Sequence, residues 1–172
     1  MVYFFIFAGA ALRLLPHEPN FTPIAAIALF SGVNLSRKQA LIIPILTMLA
    51  ADIFIGFASF WVTISVYGSF LIISLLGLWL KNHQKIQNMV MVSLTGSFIF
   101  FFLTNFAVWA ATPWYEKNLQ GIINCYYMAL PFFRNTVLGD LFYVAVIFGL
   151  FELSKLLVSK RSVIWKKISL LN

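Results

Sequence analysis

Arg13-Leu14-Leu15-Pro16-His17-Glu18-Pro19-Asn20-Phe21-Thr22-Pro23 is a polar strip set between two runs that are almost wholly apolar. It holds three of the six prolines, one of the two histidines and two of the few charges. The chain around it has 172 residues, 62% of them hydrophobic and 10% charged, with a mean hydropathy of +0.93. A soluble domain is closer to half apolar and a quarter charged, so this chain must hide its surface in lipid. Ionisable groups beside a hydrocarbon layer are expensive and are rarely kept there without a role. A second strip, Pro131-Phe132-Phe133-Arg134-Asn135-Thr136-Val137-Leu138-Gly139-Asp140, puts Arg134 and Asp140 at the head of another apolar stretch. Two such strips point to a polar site inside a membrane protein.

The apolar runs span residues 2–15, 21–34, 40–57, 61–80, 87–111 and 131–157. A spanning helix needs about 20 apolar residues, which the last four meet or approach. The first two are short, and length alone leaves open two kinked helices or a re-entrant pair. A cleaved signal peptide is not expected, because Met1-Val2-Tyr3-Phe4 has no basic n-region. Charge placement favours six spans. Arg37, Lys38, Lys81, Lys85, Lys155, Lys160, Arg161, Lys166 and Lys167 fall in alternate connections, the positive-inside pattern for two cytoplasmic termini. The expected fold is an all-α integral membrane protein of six transmembrane helices in the bacterial inner membrane. Residues 1–157 form its one domain, and 158–172 form a basic amphipathic tail lying on anionic lipid. The net charge of +7 is dispersed in short clusters between apolar runs, so no nucleic-acid face is expected. A single cysteine excludes an internal disulfide and any multi-cysteine metal site.

With this topology Arg13, His17, Asn20, Asp52, Asn105, Trp109, Arg134, Asn135 and Asp140 all fall in the outer half of the bilayer or near its middle. Simple ion pairs between helices, such as Arg13–Asp52 or Arg134–Asp140, would account for the charges. A polar pocket open outward would account for them together with the asparagines. The long connection 112–130 reads as a lid over that pocket; its Trp114, Tyr115, Tyr126 and Tyr127 form either an interfacial aromatic belt or a stacking surface for a flat ligand, and its Cys125 is either a small buried hydrophobe or a thiol touching the ligand. Six residues separate Arg134 from Asp140, which leaves them about 120° apart on a helix, so each should face a different neighbour. Arg134 is expected to meet ligand or lid, and Asp140 to meet Arg13. Two arginines favour an anionic group on the ligand, although two aspartates could neutralise them. No Gly-x-Ser-x-Gly, His-Glu-x-x-His, Walker loop or paired-glutamate protease pattern is present, so no enzyme, cofactor or intrinsic ATPase is expected.

The strips Arg13–Gly32, Ala51-Asp52, Asn105–Trp109 and Pro131–Asp140 resemble an uncharacterised family of small bacterial integral-membrane proteins. That family is distantly similar to the substrate-binding (S) components of energy-coupling factor (ECF) vitamin transporters. The resemblance implies capture of a vitamin-like nutrient from outside, with an ECF transmembrane/ATPase module as energising partner or none. It makes cobalamin a candidate ligand through Cys125. S components dock through an Ala-x-x-x-Ala pattern on the first helix; within residues 1–34 only Ala28-x-x-x-Gly32 comes close, and Ala107-x-x-x-Ala111 has the spacing on another helix. The alternative function is a non-transporting membrane scaffold or assembly protein whose charges only pair.

Overall fold

Among the described residues the chain forms six helices: α1 (Val2–Leu12), α2 (Ile24–Asn34), α3 (Arg37–Ile55), α4 (Phe60–Leu80), α5 (Ile86–Ala111) and α6 (Leu119–Ser169). The computed structural model describes the backbone of residues 2–169 and the side chains up to residue 158, residue 5 excepted. The basic side chains of the expected tail therefore lie outside the described residues.

Four of the helices, α3 to α6, are long and apolar enough to cross a membrane. Their outward surface is apolar, with Phe54, Phe102, Leu103 and Phe142 all exposed. A membrane protein presents such a surface to lipid. The short helices α1 and α2 have 11 residues each, about 16 Å at 1.5 Å per residue, against a hydrocarbon core of about 30 Å. Proline sets their facing ends. Pro16, Pro19 and Pro23 lack the N–H a helix interior needs, and each drives its preceding residue out of the α region. The strip 13–23 is consequently non-helical, and Asn20 takes a left-handed conformation (φ 64°) that asparagine tolerates.

Helix α2 is the core. From Ile24 to Val33 every residue is buried, and α2 packs on each of the other five helices. Phe30 meets Phe148 and Phe151 of α6 edge-on, with centroids 5.3 and 4.9 Å apart. Against α4 the contact is backbone to backbone: a Cβ on Gly32 would stand 2.5 Å from the carbonyl carbon of Gly77. Close approach through small residues is how helices pack where lipid supplies no hydrophobic drive. Ala28 and Gly32 are thus consumed inside the bundle rather than offered for docking.

Short connections make α3 to α6 an antiparallel series. Arg37, Lys38, Lys81, Lys85 and Lys155 gather at one end, which we call the basic end. There Ser36 and Gln39 form a capping box at the start of α3. Gln39 also donates to the Tyr3 hydroxyl of α1 (2.9 Å). Lys81 Nζ donates to the Leu35 carbonyl just past the end of α2 (3.1 Å), a cation where the helix dipole is negative.

One expectation about the opposite end is overturned. The connection 112–130 is not a lid loop, because α6 already begins at Leu119 and only Thr112–Asn118 links the helices. Asn118 starts that helix, its side-chain oxygen accepting the Gly121 N–H (2.8 Å) as an N-cap does. Pro131 sits inside the same helix without ending it.

Candidate functional site

The strip 13–23 is clamped between α3 and α6. On the α3 side Arg13 Nη2 meets Asp52 Oδ1 at 2.8 Å, both side chains largely buried. Tyr67 of α4 donates its hydroxyl to the other carboxylate oxygen, Asp52 Oδ2 (2.9 Å). On the α6 side three positions a turn apart receive the strip. Asn135 donates to the Pro19 carbonyl (3.2 Å), and Phe21 packs on Tyr143 (5.5 Å between centroids). Between them Gly139 admits the Phe21 backbone, whose Cα would lie 3.0 Å from a Cβ there.

Below the strip lies a cleft of three adjoining chambers, with Val66 lining all three. The first, about 160 Å³, is lined by Arg13, Asn20, Thr22, Phe70, Phe100 and Asp140 among others. The second, about 280 Å³, shares Asn20 and Thr136 with the first and adds Phe101, Thr104 and Asn105. The third, about 160 Å³, holds Arg13, Asp52 and Tyr67. Asp140 is 4% exposed, and Ser97 of α5 lies 2.6 Å from its Oδ2. That length suits a hydroxyl bonded to a carboxylate.

The cleft gathers Arg13, Asn20, Asp52, Asn105 and Asp140, five of the residues expected there, and Asn135 holds its roof. The remaining candidates stand elsewhere. His17 is exposed and bonds the Leu15 carbonyl (2.6 Å). Trp109 donates to the Glu116 carbonyl (2.9 Å), and Lys117 bonds the Trp109 carbonyl, so the ring ties down the short loop. Trp114 is 73% exposed. Cys125 is buried with its thiol on the Asn105 carbonyl (3.4 Å) and lines none of the chambers. Arg134 is exposed and lines none either. The expected Asp140–Arg13 contact is likewise replaced: Arg13 is taken by Asp52, and Asp140 by Ser97. Among the described residues no group of three His, Cys, Asp or Glu is placed to hold a metal.

Sequence reasoning missed Tyr67, Ser97, Thr136 and the aromatic wall of Phe70 and Phe100. The signal for the hydroxyls was available. Ser93, Gly96 and Ser97 put a small polar stripe on one face of an otherwise apolar α5.

Helices that suit a bilayer, wrapped around a short buried helix and a charged cleft, define an α-helical membrane protein with an internal polar site. The chain belongs to a family of unknown function, DUF6580, matched over residues 1–162. No curated protein and no solved structure matches it.

Proposed function

We propose that this protein captures a small organic nutrient and serves its transport across the bacterial inner membrane. The observation that carries the reading is the cleft: three adjoining chambers, walled by the strip and by α2 to α6, with Arg13, Asp52 and Asp140 inside it. Charges at that depth cost several kcal/mol unless they serve packing or a ligand, and chambers this size exceed what packing needs. The positive-inside rule assigns the basic end to the cytoplasm, so the cleft lies toward the outside. Four spans with a re-entrant α1–α2 pair, or six spans, leave the basic loops on the same side.

Capture from outside is how S components of ECF transporters work, and an ECF transmembrane/ATPase module is the partner that likeness suggests. Ala28 and Gly32 are buried, so a partner would have to engage another face. The chamber sizes favour a compact ligand over a corrinoid such as cobalamin, and Cys125 stands apart from them.

A scaffold is the second reading, favoured by the closed Arg13–Asp52–Tyr67 group, which needs no ligand to satisfy it. Mass spectrometry of small molecules co-purifying with the detergent-solubilised protein separates the two. Transport predicts one enriched compound, depleted in Phe100→Trp, whose larger ring narrows the first chamber. It also predicts that the gene rescues growth of an auxotroph on limiting amounts of that compound. No enriched compound and no rescue would favour the scaffold.

A further inference from the structure

The ionisable groups inside the cleft do not all pair. Among the described residues lining the three chambers they are Arg13, Asp52 and Asp140. Arg13 and Asp52 neutralise each other at 2.8 Å. Arg134, the other arginine expected to greet a ligand, is exposed and lines no chamber. What remains is Asp140, whose one hydrogen-bond partner among the described residues is the Ser97 hydroxyl, with no protein cation on it. A buried carboxyl with no protein cation gains most from a ligand that brings one, because its ionised form is otherwise left uncompensated.

The walls beside Asp140 are aromatic. Phe70 and Phe100 line the same chamber, with ring centroids 5.5 Å apart and planes inclined by 37°. Aromatic rings and one carboxyl group in a small, largely apolar space suit an organic ammonium group, which a ring quadrupole and an ionised carboxylate both attract. An oxygen acceptor on the same ligand has a donor available, since the buried Arg13 Nε–H has no partner.

We infer that the first chamber binds a compact organic cation, an amine or alkylammonium compound, with its charged nitrogen at Asp140 and its organic part against the Phe70–Phe100 wall. The inference rests on the capture reading given above and names its substrate class. It reverses the sequence-based expectation of an anionic ligand, which counted two arginines in the site where one is present and already paired.

The test uses three single-ring probes of similar size and different charge: benzylamine, benzyl alcohol and benzoate. Each is titrated at pH 7 into the full chain in detergent, with saturation-transfer NMR and thermal unfolding as readouts. Benzylamine should bind about tenfold or more tighter than benzyl alcohol, the factor a charge-assisted hydrogen bond supplies, and benzoate weakest of the three. Asp140→Asn should weaken benzylamine about tenfold and leave benzyl alcohol within about twofold. Phe100→Leu keeps the test decisive if Asp140→Asn does not fold, and should weaken benzylamine more than benzyl alcohol. Benzoate binding as tightly as benzylamine, or benzylamine binding unchanged in both variants, would overturn the inference. Binding of the neutral or anionic probe alone overturns the cation assignment and leaves the cleft standing as a capture site. Binding of none of the three also overturns it, while the co-purification experiment judges the capture reading separately.

Discussion

Removing one member of the Arg13–Asp52 pair should harm the protein far more than removing both. The two side chains are 16% and 10% exposed, and the carboxylate accepts from both Arg13 and Tyr67. Asp52→Leu strands the guanidinium, one of whose donors is already unpartnered, together with the Tyr67 hydroxyl. Breaking a buried pair in this way costs about 3–5 kcal/mol. Replacing both members by apolar residues of similar volume is often neutral, because two desolvation costs vanish with the attraction. For a chain of this length about 3 kcal/mol corresponds to a fall of about 6–12 °C in melting temperature. The assay is a double-mutant cycle of Arg13→Met, Asp52→Leu and the double variant, followed by thermal unfolding in detergent. The single variants should each lose about 10 °C, and the double variant should recover most of it. Small, additive losses, each below about 1 kcal/mol, would refute the reasoning and make this a surface-like pair.

Gly77→Ala should destabilise by about 2 kcal/mol or more, because the new Cβ would meet the Leu29 backbone at 2.6 and 2.9 Å. Gly149→Ala, where a Cβ meets nothing within 4 Å, should be neutral or stabilising by up to about 1 kcal/mol; equal melting temperatures for the two variants would disprove the close contact. Cys125→Ala should leave benzylamine binding within about twofold of wild type, since the thiol lines no chamber, and a large loss by titration would return it to the site. Arg134→Ala should likewise leave binding unchanged, and a loss of tenfold or more would put that arginine back at the pocket mouth.

Much of this architecture is legible in the sequence, and the places where it is not have physical causes. The apolar runs locate all six helices because a long apolar segment in lipid must satisfy its backbone groups internally, which an α-helix does within the segment. Depth admits Arg13 and Asp52 as a pair, since Arg13 follows α1 at the end where Asp52 closes α3, but it equally admits Arg13 with Asp140. The identity of Asp140's neighbour is not legible. Helical rotation tells which way a side chain points, and Ser97 lies on another helix whose rotation about its own axis the sequence leaves free. The lid failed for a different reason. Polar and aromatic residues in 112–130 resemble a loop, yet Leu119–Leu130 contains no proline, and Asn118 supplies the cap. Arg134 was misplaced with it, because without a lid that position opens to the surroundings.

The interruption between α1 and α2 bears on the surroundings of Asp140. Irregular backbone at membrane depth persists only where protein or a water-filled cavity satisfies it, and the strip 13–23 lies over the cleft. Its last residue, Pro23, begins α2 without a side-chain cap, so the first-turn N–H groups of a wholly buried helix lack that partner. Thr22 and Ala25, at that N-terminus, line the same chamber as Asp140. A helix N-terminus carries a partial positive charge of roughly half a unit, which favours a nearby carboxylate without neutralising it. A continuous helix through residues 13–23 would bury those N–H groups in its own hydrogen bonds and remove that field. The prolines therefore do more than shorten two helices. They open the N-terminus of α2 onto the chamber that Asp140 shares with Phe70 and Phe100, the positive end of a helix facing a space in which, among the described residues, that carboxyl has no ion-pair partner.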